Sequence, residues 1–405
     1  MANDTEKPTS QRGLSTPTLG LVWFGASVSL AEILTGTFFA PLGLTMGILA
    51  IIVGHIIGGA LFWLVAHVSA RTQTSAMEAA RRSFGTGGAK LFSVLNVVQL
   101  VGWTAIMIVS GAAAASFLVP ALGTVGWCIV IGVLIVVWIA IGVKRMGKVQ
   151  SVAAALLFVL TIVASVAVFG GDGGVGSLGA ALAGDGSLSF GAAVELAAAM
   201  PLSWLPVVGD YTREANRPIA GSAASTIAYS IGSCWMFVIG LGCALFAASS
   251  DIAVVLAQAG LGVAGILVVV FSTVTTTFLD AQSAGISAES IHPRLTARMC
   301  GIIAAVLGTV LAICAPVGNF EGFLYFIGSV FAPMAALVIA DYFILHRDRT
   351  GAGIDWRGIV LWVLGFALYR VSLGWDIPCG NTLPVIAIIV VAAIVVDKIA
   401  ASARK

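Results

Sequence analysis

Long apolar stretches follow one another along this chain with almost nothing between them, each close to the roughly 20 residues a helix needs to cross the ~30 Å hydrocarbon core of a bilayer. Cut at its charged and Gly/Pro-rich breaks, the sequence yields twelve. They run at about residues 21–45, 48–67, 91–118, 123–143, 149–169, 191–212, 219–248, 253–281, 299–316, 320–345, 356–373 and 383–401. With 405 residues shared among these spans, little chain remains for a separate soluble domain. Charged residues make up 9% of the chain, against about 25% in soluble domains. Lipid is therefore the solvent, and the composition excludes a water-soluble enzyme, a nucleic-acid binder and a disordered protein. The expected class is an all-α polytopic membrane protein.

The few basic residues orient it. Every Lys and Arg except Arg370 falls in the tail before the first span, in a connection after an even-numbered span, or at the end of the chain. Positive residues stay cytoplasmic, so both termini are expected inside the cell membrane, with residues 1–20 read as a cytoplasmic tail rather than a cleavable signal peptide. The six cysteines contain no CxxC pair and read as core thiols. There is no HExxH, no GxxxxGK[ST] and no paired Cys/His cluster, so neither catalysis nor ATP-driven transport has its chemistry here.

The spacing hides a repeat. The first five spans (residues 21–169) and the next five (191–345) form blocks of nearly equal length. A block of five enters the membrane from the side opposite to its predecessor, which is the arithmetic of an inverted-topology repeat. The last two helices, 356–401, lie outside it. Each block opens on an interrupted helix. Span 1 carries Ser27, Ser29, Glu32 and Thr35 in its middle, and span 6 carries Pro201 and Pro206. Proline removes a backbone donor, and unwound backbone persists in lipid only where it is buried in protein or lines a cavity. Such paired breaks mark the substrate site of a secondary transporter, with Pro kinks and small-residue packing as the ordinary alternative.

Three motifs resemble the nucleobase–cation–symport-1 family: SWLPVVGDYTRE (203–214), VGW (101–103) and STVTTT (272–277). The segment GASVSLAEILTG (25–36) and the run through FLDAQSAGISAES (278–290) are similar to its hydroxymethylpyrimidine (thiamin-precursor) branch, close to the cytosine permeases. The resemblance implies a LeuT-like five-plus-five fold and import of a small planar pyrimidine by cation symport, with sodium the expected ion. It also implies a cation site of carbonyls from span 1 (Gly25, Val28) and hydroxyls from span 8 (Ser272, Thr275, Thr276). Those three hydroxyl residues stand at i, i+3 and i+4, one helix face. The family's stacking aromatic maps onto Trp103. Gln99 lies one turn before it, where the cytosine-permease pattern has a glutamine three residues before the Trp and this chain has Leu100.

Ser29, Met200, Ser203 and Trp204 complete the expected pocket, Trp204 as the second face of a ring sandwich. Glu32, a carboxylate at bilayer depth, is expected to read the aminopyrimidine edge. Proton coupling, help with the cation, or a structural pair with a hydroxyl remain open for it. Asp210, Asp280 and Asp341 are expected at cytoplasmic helix ends, Glu195 at the outer start of span 6, and His55 in packing. The expected partners are the pyrimidine and the bilayer, with no nucleic acid, no resident cofactor and no obligatory protein partner. A cytosine or purine permease and a proton-coupled amino-acid carrier of the same fold are the nearest other readings. An intramembrane enzyme or a channel is the other class.

Overall fold

A computed structural model of the chain describes residues 13–141, 184–246, 262–292, 294–314 and 320–403, with scattered positions between 152 and 170. The tail residues 1–12, the basic residues Lys144, Arg145 and Lys148, most of span 149–169 and most of the 170–190 connection lie outside the described residues.

The helices are α1 (Thr16–Ser27), α2 (Leu30–Thr37), α3 (Gly43–Thr72), α4 (Ala76–Leu118) and α5 (Gly123–Ile141), then α6 (Phe190–Ser203), α7 (Leu205–Thr212), α8 (Pro218–Phe246) and α9 (Gly262–Ile291). They end with α10 (Ala297–Cys314), α11 (Phe320–Ile339, continued by a π turn to Ile344), α12 (Trp356–Ser372) and α13 (Thr382–Ser402). Among the described residues, eight segments are long and apolar enough to cross a membrane. Several helices start on the side-chain oxygen that a first turn needs. Ser15 accepts from the Thr18 amide, Ser29 from Glu32, and Ser189 from Ala192. Ser75 and Glu78 form a reciprocal capping box on α4.

Several boundaries differ from expectation; α4 begins at Ala76 rather than near 91, and two others bear on the site. The first turn falls at 38–43, not at 45–48, because Pro41 nucleates a 3₁₀ turn and Gly43 takes a left-handed φ of 71° that reverses the chain. The second difference matters more. Helix α9 does not stop near 281 but continues to Ile291, because its packing on α4 and α10 carries it past Gly285. Its Gly285 lets the backbone of Ala297 approach at the start of α10.

The helices pack in two groups. Helices α1 and α2 lie on α8, α3 lies between α6 and α8, and α7 joins α3; separately, α4, α5, α9 and α10 pack on one another. Helix α11 bridges to α6, α12 and α13. Large apolar side chains such as Ile56, Val98, Val166 and Ile399 cover the outside, while Glu32, His55, Asn96, Gln99 and Asp280 are buried. That is the reverse of a soluble protein's distribution and is what a lipid solvent selects.

Candidate functional site

The pocket begins at the break between α1 and α2. Val28 (φ −85°, ψ 85°) and Ser29 (φ −139°, ψ 156°) leave the helical conformation. The Ser29 amide turns back to the Ser27 carbonyl at 3.1 Å, so the Gly25 carbonyl loses the donor that an unbroken helix would supply. The Val28 carbonyl instead accepts the Ser272 hydroxyl of α9 at 3.0 Å. A second break lies between α6 and α7 at Trp204. Pro206 sits in the first turn of α7, where its missing N–H costs nothing. Its carbonyl is taken by the Asn96 side chain of α4 at 3.2 Å.

The two breaks face each other across a small, partly open cavity holding about 340 Å³ of empty space, adjoining solvent included. Ala26, Ser29, Ala31 and Glu32 line it from α1 and α2, Trp103 and Met107 from α4, Met200, Ser203 and Trp204 from α6 and its break, and Thr276 and Asp280 from α9. Six of the seven residues expected around substrate therefore meet in one place. Gln99 does not line the cavity. It stands one layer behind, its Nε2 donating to the Ser203 carbonyl (3.0 Å) and to Asn96 Oδ1 (2.8 Å), which fixes the α6 end of the wall.

Glu32 is fully buried in the first turn of α2, where a carboxyl suits the helix dipole. The Tyr229 hydroxyl bonds its Oε1 and the Ser233 hydroxyl its Oε2, both at 2.7 Å. Tyr229 and Ser233 are one turn apart on α8. Ser233 in turn meets His55 Nε2 at 2.7 Å, and His55 Nδ1 meets the Ile51 carbonyl at 2.8 Å. His55, expected only to pack, belongs to this polar chain.

Asp280 is the residue that sequence reasoning missed. Placed at a cytoplasmic helix end, it proves to lie inside α9, 3% exposed, with no hydrogen-bond partner among the described residues and its side chain on the cavity wall. The signal was present: Asp280 is one turn after Thr276 and two turns after Ser272, on the same face. The early helix end concealed it.

Glu195 is also corrected, whereas Asp210 and Asp341 lie in the closing turns of their helices, as expected. Glu195, expected at an outer helix start, is buried and accepts from the Tyr369 hydroxyl, the amides of Asn381 (2.6 Å) and Thr382 (2.7 Å) and the Thr382 hydroxyl (2.6 Å), thereby capping α13. Asp210 accepts from the Ala76 amide at the start of α4. Asp341 is buried and pairs with Arg357 at 3.0 Å.

Beside the cavity, Ser272, Thr275 and Thr276 present their face of α9 to the α1–α2 break. Thr275 bonds back to the Ser272 carbonyl at 3.0 Å, whereas the buried Thr276 Oγ1 and Trp103 Nε1 have no protein partner among the described residues. Carbonyl and hydroxyl oxygens without a formal charge form a donor set suited to a hard monovalent cation. Further aromatic rings pack against Trp103 and Trp204. Phe320 packs on Phe38 (6.2 Å) and on Trp103 (5.7 Å), while Trp23 meets Trp204 at 5.4 Å and Tyr211 at 5.8 Å.

A helical fold with an apolar outside and two interrupted helices around a cavity that carries two carboxyls has the form of a membrane transporter. The fold is similar to Mhp1, a nucleobase–cation–symport-1 family transporter solved closed around bromovinylhydantoin (TM-score 0.81, 18% identity, 98% of this chain and 96% of that one). It is also similar to a Na⁺-coupled sialic acid symporter (TM-score 0.70, 15% identity, 95% and 91%). In sequence, a family described as permeases for cytosine/purines, uracil, thiamine and allantoin matches residues 6–369, and the chain belongs to that family. The cytosine permease of Escherichia coli K12 is 26% identical over 371 residues (90% of this chain, 84% of the relative). A putative purine-cytosine permease of Bacillus subtilis 168 is 26% identical over 411 residues (93% and 87%). The relatives are permeases, and this chain is a multi-pass membrane transporter rather than an enzyme.

Proposed function

We propose that the protein imports a small planar aminopyrimidine, hydroxymethylpyrimidine or a close relative, together with sodium. The observation that carries this reading is the meeting of two carboxyls and two tryptophans in one cavity beside an unwound, hydroxyl-flanked helix break. Trp103 and Trp204 offer ring faces, and stacking of this kind is worth about 1–3 kcal/mol per base. Glu32 and Asp280 accept from the exocyclic amine and a protonated ring nitrogen, while the Trp103 N–H and Thr276 serve ring acceptors. Two acids suit a donor-rich amidine-like edge better than the acceptor-rich edge of a uracil.

Sodium would be held by the carbonyls of Gly25 and Val28 and the hydroxyls of Ser272, Thr275 and Thr276, with Ser272 rotating its hydrogen away from Val28. The two ligands share one piece of backbone: Gly25 and Val28 lie on the cation side of the break, and Ser29 and Glu32 on the substrate side. Ordering that segment for one ligand lowers the cost of binding the other, which is the coupling a symporter needs. The Na⁺-coupled relative by fold supports this choice of ion.

The reading includes twelve helices in a five-plus-five inverted repeat (21–169 and 191–345) followed by two more, in the cytoplasmic membrane with both termini inside. The two interrupted helices support the repeat: each has a second half of eight residues, Leu30–Thr37 and Leu205–Thr212. Alternating access would then move the α1–α2–α3–α6–α7–α8 group against α4, α5, α9 and α10. The test is a thermal-shift panel of hydroxymethylpyrimidine, cytosine, uracil and amino acids, run in sodium and in potassium. The largest melting-temperature rise is expected for hydroxymethylpyrimidine in sodium. A rise with an amino acid and with no heterocycle would overturn the reading.

A further inference from the structure

The polar chain from Glu32 through Ser233 and His55 to the Ile51 carbonyl has three links, at 2.7, 2.7 and 2.8 Å, and each link needs one hydrogen. The carbonyl can only accept, so His55 Nδ1 must carry a hydrogen. With Glu32 ionised and His55 neutral, His55 Nε2 is then bare, and Ser233 has a single hydrogen for two acceptors. One link would press lone pair against lone pair at 2.7 Å in a site closed to water, where an unmade bond is most costly. All three links are filled only when the chain holds one more hydrogen. It can sit on Glu32, which then donates to Ser233 while Ser233 donates to His55 Nε2. Otherwise it sits on Nε2, which makes His55 an imidazolium that donates to Ser233 while Ser233 donates to the Glu32 carboxylate.

We propose that Glu32, Ser233 and His55 form a buried proton site that holds one exchangeable proton, separate from the cation donors on α9. The two arrangements interconvert by a balanced double transfer. The Glu32 Oε2–H bond breaks as a new Oγ–H bond forms on Ser233, and the original Ser233 Oγ–H bond breaks as Nε2–H forms on His55. The pair stays neutral throughout, which suits its burial. The relay ends on the cavity at Glu32, and at His55 it ends on a groove of the outer surface between α3 and α8, lined also by Trp63, Thr226, Ser230 and Cys234. The other titratable groups around Glu32 and His55 are Tyr229 and Cys234 on α8 and Asp280 across the cavity on α9. Hydrogen donors arriving at Glu32 favour its carboxylate and so drive the proton to His55, which ties the contents of the cavity to the charge of a residue on the far side of α8.

The relay does not depend on which solute is carried, and its test needs none. The full chain in lipid nanodiscs, labelled with ¹⁵N-histidine, has four histidines to resolve, and His55→Gln assigns His55. Between about pH 5 and 9, wild type is expected to show either an imidazolium at His55 or an Nδ1–H His55 accompanied by an infrared carboxylic-acid band that Glu32→Gln removes. In Glu32→Gln the amide supplies the missing hydrogen, so His55 is expected to stay neutral and Nδ1–H across the whole range. Should that variant not fold, Ser233→Ala cuts the relay, and the Glu32 band and the His55 signal are expected to titrate at separate midpoints rather than together. A neutral His55 with no Glu32 acid band in wild type, or an imidazolium at His55 that persists unchanged in Glu32→Gln, would overturn the proposal.

Discussion

Replacing Asp280 by Asn removes a carboxylate from the cavity wall while leaving shape and volume almost unchanged, and it should move stability and binding in opposite directions. Asp280 is 3% exposed and finds no hydrogen-bond partner among the described residues, so the empty protein carries the desolvation of an acid with nothing to offset it. An unpaired polar group in a protein interior costs about 1–3 kcal/mol. Asp280→Asn relieves the charged part of that cost, and the melting temperature of the solute-free protein is expected to stay level or rise by a few degrees. Binding loses an acceptor aimed at the amino edge. Hydrogen bonds to charged groups contribute about 1.5–3 kcal/mol, equal to about 10- to 100-fold in affinity. Calorimetric titration of purified protein with hydroxymethylpyrimidine in sodium measures the second quantity, and a melt without solute measures the first. A variant that binds within about twofold of wild type, or that melts well below it, would refute the assignment of Asp280 as a free carboxylate awaiting a donor.

Three further outcomes follow from other parts of the molecule. Ser272→Ala removes a neutral oxygen from the face turned to Val28 and should raise the sodium concentration for half-maximal effect about tenfold, with smaller change in substrate affinity at saturating sodium; sodium titrations of the thermal shift measure it. Glu195→Leu leaves the Asn381 and Thr382 amides and the Tyr369 hydroxyl without their acceptor and should cost at least about 3 kcal/mol, visible as a large fall in melting temperature that no substrate restores. Burial would raise the pKa of Asp355 at the start of α12, yet the Gly358 amide and the arginines Arg347 and Arg349 outweigh it and hold this carboxyl below the usual range. A depressed native value adds stability above the ordinary carboxyl range and loses it as pH falls through the native value. Asp355→Asn should therefore narrow the gap between melting temperatures at about pH 6 and pH 3, and an unchanged gap would contradict that role.

The sequence was most legible where one physical rule dominates. Membrane spans announce themselves because lipid tolerates little else, and the break at Val28–Ser29 was visible because polar side chains crowd the middle of an apolar helix. Glu32 was found by the same rule. Asp280 escaped it because periodicity places a helix but fixes its end poorly, and Gly285 lies inside α9 rather than at its end. Glu195 was placed on the right helix but in the wrong solvent, since its partners Tyr369, Asn381 and Thr382 lie far away in sequence. Gln99 shares a helix face with Trp103, as the spacing says, yet its amide is drawn to the Ser203 carbonyl, and only the packing of α4 on the α6–α7 break decides that. His55 and Ser233 are 178 positions apart, and nothing in either local segment points to the other.

The central claim is that one cavity couples an aminopyrimidine to sodium, and uptake into proteoliposomes tests it most directly. With labelled hydroxymethylpyrimidine outside and an inward sodium gradient, accumulation above equilibrium is expected for wild type. It should be lost when potassium replaces sodium, and lost again in Glu32→Gln. Accumulation that ignores the sodium gradient, or no uptake of any aminopyrimidine while another solute accumulates, would contradict it.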